Sequence, residues 1–230
     1  ATTDIYTLTL HDALPISKTV CGHRSIGGAR NRLVARFLET DATVLWFIDA
    51  DVIPSDNTSL LFPFLADDTL DIWGGVYPLM ARGSGKDDPL EITWTMYDEA
   101  DGHFTAAEPD EAQESQEVGG LGTGCMLIRR RVLEDERMRL APDRSGIPCI
   151  FRTTHHEDDS VAYSDDLDFC LRARQAGYKI HAIPQVMWGH RKMGDVRDSY
   201  GLGAAAFAAG YQHAIQEAKS KRRIITPGAA

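Results

Sequence analysis

The stretch VLWFIDADVIP, Val44 to Pro54, places five apolar residues directly before two carboxylates, Asp49 and Asp51, with only Ala50 between them. A short run rich in β-branched and aromatic residues reads as a strand buried on both faces. Such a strand cannot end in unpaired carboxylates inside a core, because burying a charge without a partner costs on the order of several kcal/mol. The acids therefore belong at the end of the sheet, facing a cleft or water. Strand alternation sends Asp49 and Asp51 to the same side, where they can act on one ion or one ligand. Oxygen donors of this type suit Mg²⁺ or Mn²⁺. Aspartates also serve as local hydrogen-bonders in a strand-to-loop turn, and the short pattern alone leaves both readings open.

On the N-terminal side, SIGGARNRLVARFLE spaces Ala29, Leu33, Val34, Phe37 and Leu38 as one helical face, with Ser25 as its N-cap. On the C-terminal side, TSLLFPFLA reads as a short helix limited by Pro63, and DIWGGVYPL and LEITWTMY read as strands. The segment 98–117, with many acids and neither Lys nor Arg, reads as a solvated loop. TGCMLIRRRVLEDE is a strand running into a helix, and the stretch from Ala141 to Ser164 is a long loop. SDDLDFCLRARQAG carries an N-cap at Ser164, acids in the first turn and Gly177 at its stop, so it is a helix; YKIHAIP is the strand after it. Strands alternating with helices point to a layered α/β domain with its chemistry at strand ends.

The totals narrow the function. Of 230 residues, 34 are acidic and 24 basic, a net charge of -10, which argues against binding a nucleic-acid backbone. No apolar run reaches the roughly 18 to 20 residues of a transmembrane helix, and the start lacks the order of a secretory signal, so a cytoplasmic protein is expected. The four cysteines, Cys21, Cys125, Cys149 and Cys170, form no CxxC pair.

The opening ATTDIYTLTLHDALPI resembles the in-frame translation of a sequencing-adapter oligonucleotide, ATTEIYTLSLHDALPI, departing from it only at Asp4 and Thr9. Residues 1–16 are accordingly expected to be foreign, 17–195 to form the domain and 196–230 a helical tail.

The blocks GARNRLVARFL, VLWFIDADVIP, DIWGGVYP, GTGCMLIRR, SDDLDFCLRARQAGYKIHAIP and WGH stand in the order seen in glycosyltransferases of the GT-A fold, especially those similar to family 2. The resemblance implies a Rossmann-like α/β/α sandwich around a mostly parallel sheet, lacking its native first strand if the opening is foreign. It implies that Asp51 ligates Mn²⁺ or Mg²⁺, that Asp49 contacts ribose or the metal's hydration shell, and that His190 completes the metal site. It implies further that Arg30 and Asn31 lie near a UDP- or GDP-linked sugar donor. Asp166 would be the base that deprotonates an acceptor hydroxyl in an inverting transfer, with Asp165 beside it where the family usually has Glu. Acids in a first helical turn also simply complement the helix dipole.

Other features have two readings each. GGLGTGC, Gly119 to Cys125, either admits a sugar close to the backbone or makes turns; it lacks the Lys and Ser/Thr of a P-loop. HHEDD, His155 to Asp159, is a rival metal cluster or a solvated lid, and Trp94 and Trp188 either stack on sugar rings or fill the core. A nucleotidyltransferase of related fold and an inactive truncated fragment are the alternative functions.

Overall fold

The computed structural model describes residues 3–8, 15–20, 26–82, 90–141 and 146–191. The chain begins with an antiparallel pair, β1 (Thr3–Leu8) and β2 (Pro15–Val20), followed by helix α1 (Ile26–Leu38) and strand β3 (Val44–Ile48), beside which β1 runs. After β4 (Val52–Ile53) come two 3-10 turns, Asp56–Leu61 and Pro63–Ala66, then β5 (Ile72–Val76). Two hairpins follow: β6 (Pro78–Arg82) with β7 (Leu90–Trp94), and β8 (Met96–Ala100) with β9 (His103–Ala106). The short β10 (Gln116–Glu117) and β11 (Gly120–Leu121) lead into β12 (Cys125–Arg129) and helix α2 (Arg130–Glu134). The hairpin β13 (Thr154–His155) and β14 (Val161–Tyr163) precedes helix α3 (Asp165–Gln175), and β15 (Ile180–Met187) and β16 (Gly189–His190) complete the described chain.

The central sheet has the order β10-β15-β5-β12-β3. β15 and β5 are parallel, whereas β12 is antiparallel to both of its neighbours and β10 is antiparallel to β15. The expected mostly parallel sheet is thus corrected to a mixed sheet with mostly antiparallel pairing. The cause is β12, which inserts between β3 and β5 and runs against both; a strand's direction leaves no trace in its own residue pattern.

Alternation along the strands sorts the core into two sides of this sheet. Leu45, Phe47, Ile72, Met126, Ile128 and Ile180 pack with Leu33, Val34 and Phe37 of α1 and Phe169 and Ala173 of α3. Val44, Trp46, Trp73, Leu127 and Val186 pack on the opposite side with Leu61, Phe64 and Leu65 of the 3-10 turns. Among the described residues that second side is covered by 3-10 turns rather than α-helices, so the expected α/β/α layering holds on one side only. Pro63 stands at the start of its turn, where a missing N–H costs nothing.

The 98–117 segment is corrected as well. It contains the β8–β9 hairpin, turned by Asp101 and Gly102 at φ 53 and 80, and the edge strand β10. An Asp-Gly pair adopts left-handed backbone cheaply, so the turn was available beneath the acidic composition. The expected helical tail, and Ser25 as N-cap, lie outside the described residues. No helix of the described residues is long and apolar enough to cross a membrane.

Candidate active site

Helix α1, the start of helix α3 and strand β16 each bring a side chain to the turn at the end of β3. The strand stops at Ile48, and Asp49 to Asp51 form a turn closed by the Val52 amide donating to the Asp49 carbonyl at 3.2 Å. Because the chain turns there, the expected alternation does not apply, and the two carboxylates have different partners. Asp49 receives Nη2 of Arg30 at 3.0 Å, while Asp51, whose side chain is 58% exposed, faces Nε2 of His190 at 3.3 Å.

Arg30 lies on the buried face of α1 and is itself 4% exposed. Its Nη1 donates to Asp165 at 2.6 Å, so one guanidinium ties the β3 turn to the start of α3. Burial disfavours the charged guanidinium, but Asp49, Asp165 and Asp166 outweigh that and hold its pKa above the usual value. Its Nε, buried, has no hydrogen-bond partner among the described residues. Asn31 is fully occupied: its oxygen accepts the Ile150 and Phe151 amides at 2.8 Å each, and its nitrogen donates to the Phe151 carbonyl at 2.8 Å. In this structure Arg30 and Asn31 both bind protein groups.

Asp166 occupies the first turn of α3, half-buried. Its Oδ1 accepts the Leu167 amide at 3.0 Å and the hydroxyl of Ser164. Ser164 stands at the expected N-cap position but makes no side-chain cap to the helix; its hydroxyl serves Asp166 instead. Oδ2 of Asp166 has no hydrogen-bond partner among the described residues. Burial pushes the Asp166 carboxyl up, against the opposing pull of Arg30 and Ser164. Asp168, also in the first turn, is buried and paired with Arg172 at 2.8 Å and Arg152 at 3.3 Å, which secures the segment before the β13–β14 hairpin.

His190 reaches Asp51 because β16 pairs antiparallel with β4, His190 opposite Val52. Its Nδ1 lies 3.1 Å from the Pro78 carbonyl. A carbonyl only accepts, so Nδ1 is the donor there; the Asp51 carboxylate also only accepts, so Nε2 faces it either as a second N–H donor or, without that proton, as a lone pair open to a cation. With Nε2 in its unprotonated form, the imidazole and the carboxylate are two donors to a cation between or beside them, and a histidine held through its other nitrogen is the usual support of a metal ligand. As it stands, however, no group of three or more His, Cys, Asp or Glu among the described residues is gathered to hold a metal. Of the expected trio, Asp51 and His190 face each other, whereas Asp49 is turned to Arg30. The same finding covers His155 to Asp159, where His155 Nδ1 lies 3.1 Å from the Asp159 carbonyl oxygen and Asp158 accepts from Ser160.

Tyr77, which sequence reasoning passed over, sits within this convergence. It is 6% exposed, packs edge-on against His190 with centroids 5.4 Å apart, and accepts the Gly124 amide through its hydroxyl at 3.1 Å. Burial, then the charges of Asp49 and Asp166, keep the phenol well above its usual pKa. Its only sequence trace is two glycines in a distant segment: a Cβ on Gly122 or Gly124 would come within 2.5 or 2.6 Å of the phenol ring or oxygen. GGLGTGC therefore makes room for protein side chains. Trp188 is core, 2% exposed, with its indole N–H on Thr58 at 3.0 Å, and Trp94 packs at the core's margin. Burial raises the Cys125 and Cys170 thiols to about 12, which leaves them unreactive. A polar cleft of about 640 Å³, lined by Glu99, Asp101, Tyr163 and Arg174 among others, lies toward the other end of α3 and includes none of the expected site residues.

No curated protein matches the chain. Among solved structures, the crystal structure of A197 from STIV aligns with a TM-score of 0.43 at 19% sequence identity, over 75% of this chain and 78% of that one, a likeness too slight to bear on the fold. The profile of a family described as "Glycosyltransferase like family 2" matches residues 12–211. With that match over most of its length, the chain belongs to the glycosyltransferase like family 2.

Proposed function

We propose that the chain transfers a sugar from a UDP- or GDP-linked donor to an acceptor hydroxyl, with inversion, assisted by Mn²⁺ or Mg²⁺. The observation that supports it most is the state of Asp166: one carboxylate oxygen is fixed by Ser164 and Leu167, the other is without a partner among the described residues, and burial makes the group more basic than an ordinary carboxylate. A general base needs that combination of a fixed orientation, a free oxygen and a raised proton affinity. Asp166 Oδ2 accepts the proton of the acceptor hydroxyl as that oxygen bonds to the anomeric carbon and the nucleoside diphosphate departs with the bonding electrons. Asp165 is committed to Arg30, so it orients the helix start instead of sharing the proton.

Asp51 and His190 would hold the divalent cation, whose charge offsets that developing on the departing diphosphate. Asp49, steered by Arg30, contacts the ribose. Arg30 thereby links donor and acceptor sides through one rigid guanidinium.

Incubation with UDP- and GDP-sugars and Mn²⁺ tests the reaction class through its products. Release of nucleoside diphosphate, strongly slowed in Asp166→Asn, is the expected result. Pyrophosphate formed from sugar phosphate and nucleoside triphosphate would establish a nucleotidyltransferase instead, and no turnover with a folded chain would favour an inactive fragment.

A further inference from the structure

We propose that Tyr77 is a positioning residue of the transfer site, tying the turn that carries Asp49 and Asp51 to the histidine that faces it. The proposal rests on the donor-site reading above. The Tyr77 hydroxyl accepts the Gly124 amide at 3.1 Å, and the carbonyl of the same Gly124 accepts the Asp49 amide at 3.2 Å. A single residue thus separates the phenol from the hydrogen bond at which β3 ends and the carboxylate turn begins. The other face of the relationship is the ring, which lies edge-on to His190 at 5.4 Å, while the carbonyl of the next residue, Pro78, receives His190 Nδ1. Tyr77 cannot drift, because its amide and carbonyl are both bonded to the Thr95 side chain, at 3.0 and 3.1 Å, and Thr95 N–H donates back to the same carbonyl at 3.1 Å.

The hydroxyl is not explained by packing. A phenylalanine would fill the recess over Gly122 and Gly124 equally well, and a buried hydroxyl is costly unless its hydrogen bond is used. Its bond goes to the backbone that sets Asp49, and its own hydrogen has no acceptor among the described residues. One side chain therefore fixes where the carboxylate turn stands and where the imidazole stands, and so the separation of Asp51 from His190. Support of this kind, one step behind the ligating groups, is what holds a metal site in a single geometry.

The test uses Tyr77→Phe, which keeps the ring, and Tyr77→Leu, which removes it, each checked for folding by thermal melting. Two readouts are taken: amide hydrogen exchange at Asp49 and Gly124 in metal-free protein, and the Mn²⁺ concentration that half-saturates UDP and GDP binding. In Tyr77→Phe the Asp49 and Gly124 amides exchange about fivefold faster, with exchange along β15 unchanged, and the Mn²⁺ requirement rises about fivefold, the worth of one buried hydrogen bond. In Tyr77→Leu the Mn²⁺ requirement rises about tenfold or more, and a second change, His190→Ala, adds little because the imidazole is already displaced. Wild-type exchange rates in Tyr77→Phe, or a His190→Ala effect undiminished in the leucine background, overturns the proposal. Should the wild type take up no Mn²⁺ with either nucleotide, the donor-site reading fails, while exchange in the metal-free protein still decides whether Tyr77 holds the turn.

Discussion

Nη1 of Arg30 donates to Asp165 at 2.6 Å across 135 residues of chain, with both side chains nearly excluded from water, at 5% and 10% exposure. The same guanidinium holds Asp49 at 3.0 Å, so the β3 turn and the α3 start share one cation. Arg30→Met leaves two carboxylates in a largely buried setting without their partner. The expected loss is about 3–5 kcal/mol in urea-induced unfolding, the usual result of breaking rather than replacing a buried ion pair. A loss under about 0.5 kcal/mol, typical of a surface position, would contradict the bridging role.

Asn31 satisfies two amides and one carbonyl of the Ile150–Phe151 segment. Asn31→Leu strands all three, and the expected cost is about 2–4 kcal/mol, from unpaired buried groups at about 1–3 kcal/mol each with partial relaxation. Exchange of the Ile150 and Phe151 amides should accelerate in step. If the sole effect is on nucleotide binding, with these amides still protected, Asn31 is a donor contact instead.

Asp166 gives a pH signature in two directions. Its folded-state pKa is raised above the ordinary 3.8, so its contribution to stability is complete below that value and is lost as pH rises through the folded-state value. Asp166→Asn removes this loss: at neutral pH the variant unfolds at higher denaturant than the wild type, and the difference shrinks toward acid. Catalysis has the opposite sign, since the base works only when ionised. The acid limb of kcat/KM lies above 3.8 in the wild type, and Asp166→Asn lowers turnover by roughly 10²- to 10⁴-fold. A variant that loses activity without the gain in stability would place the raised carboxyl elsewhere.

Gly74 has no room for a side chain: a Cβ there would stand 1.9 Å from the Cys125 carbonyl oxygen, where β5 meets β12. Gly74→Ala is expected to cost about 3 kcal/mol or more, because the obstacle is backbone and cannot rotate away. A melting temperature equal to that of the wild type would mean that the two strands separate more easily than the mixed sheet implies.

Local elements were legible where local chemistry specifies them. VLWFI became β3 and SDDLDFCLRARQAG became α3, which runs to Gln175 with Gly177 at φ 89 behind it, the left-handed stop that its glycine announced. The strand after it was less transparent. YKIHAIP continues to Met187 through Pro184, with the pairing to β5 shifting between Ala182 and Met187, an interruption proline commonly accompanies in a sheet. The candidate site was legible as residue types, since Arg30, Asp49, Asp51, Asp165, Asp166 and His190 do converge. Their pairing was not. Arg30 chooses Asp165 from a helix 135 residues away, and nothing within either helix encodes that choice. Tyr77 escaped notice because its role depends on Gly124 and His190, which meet it only through the packing of β5, β12 and β16.

The central claim is a donor site built on Asp51 and His190, and its most direct test is calorimetric titration of UDP and GDP into the protein with and without Mn²⁺, alongside Asp51→Ala. The account predicts nucleotide binding that requires Mn²⁺ and disappears in Asp51→Ala while the variant remains folded. Metal-independent binding, or binding that survives loss of the Asp51 carboxylate, would contradict it.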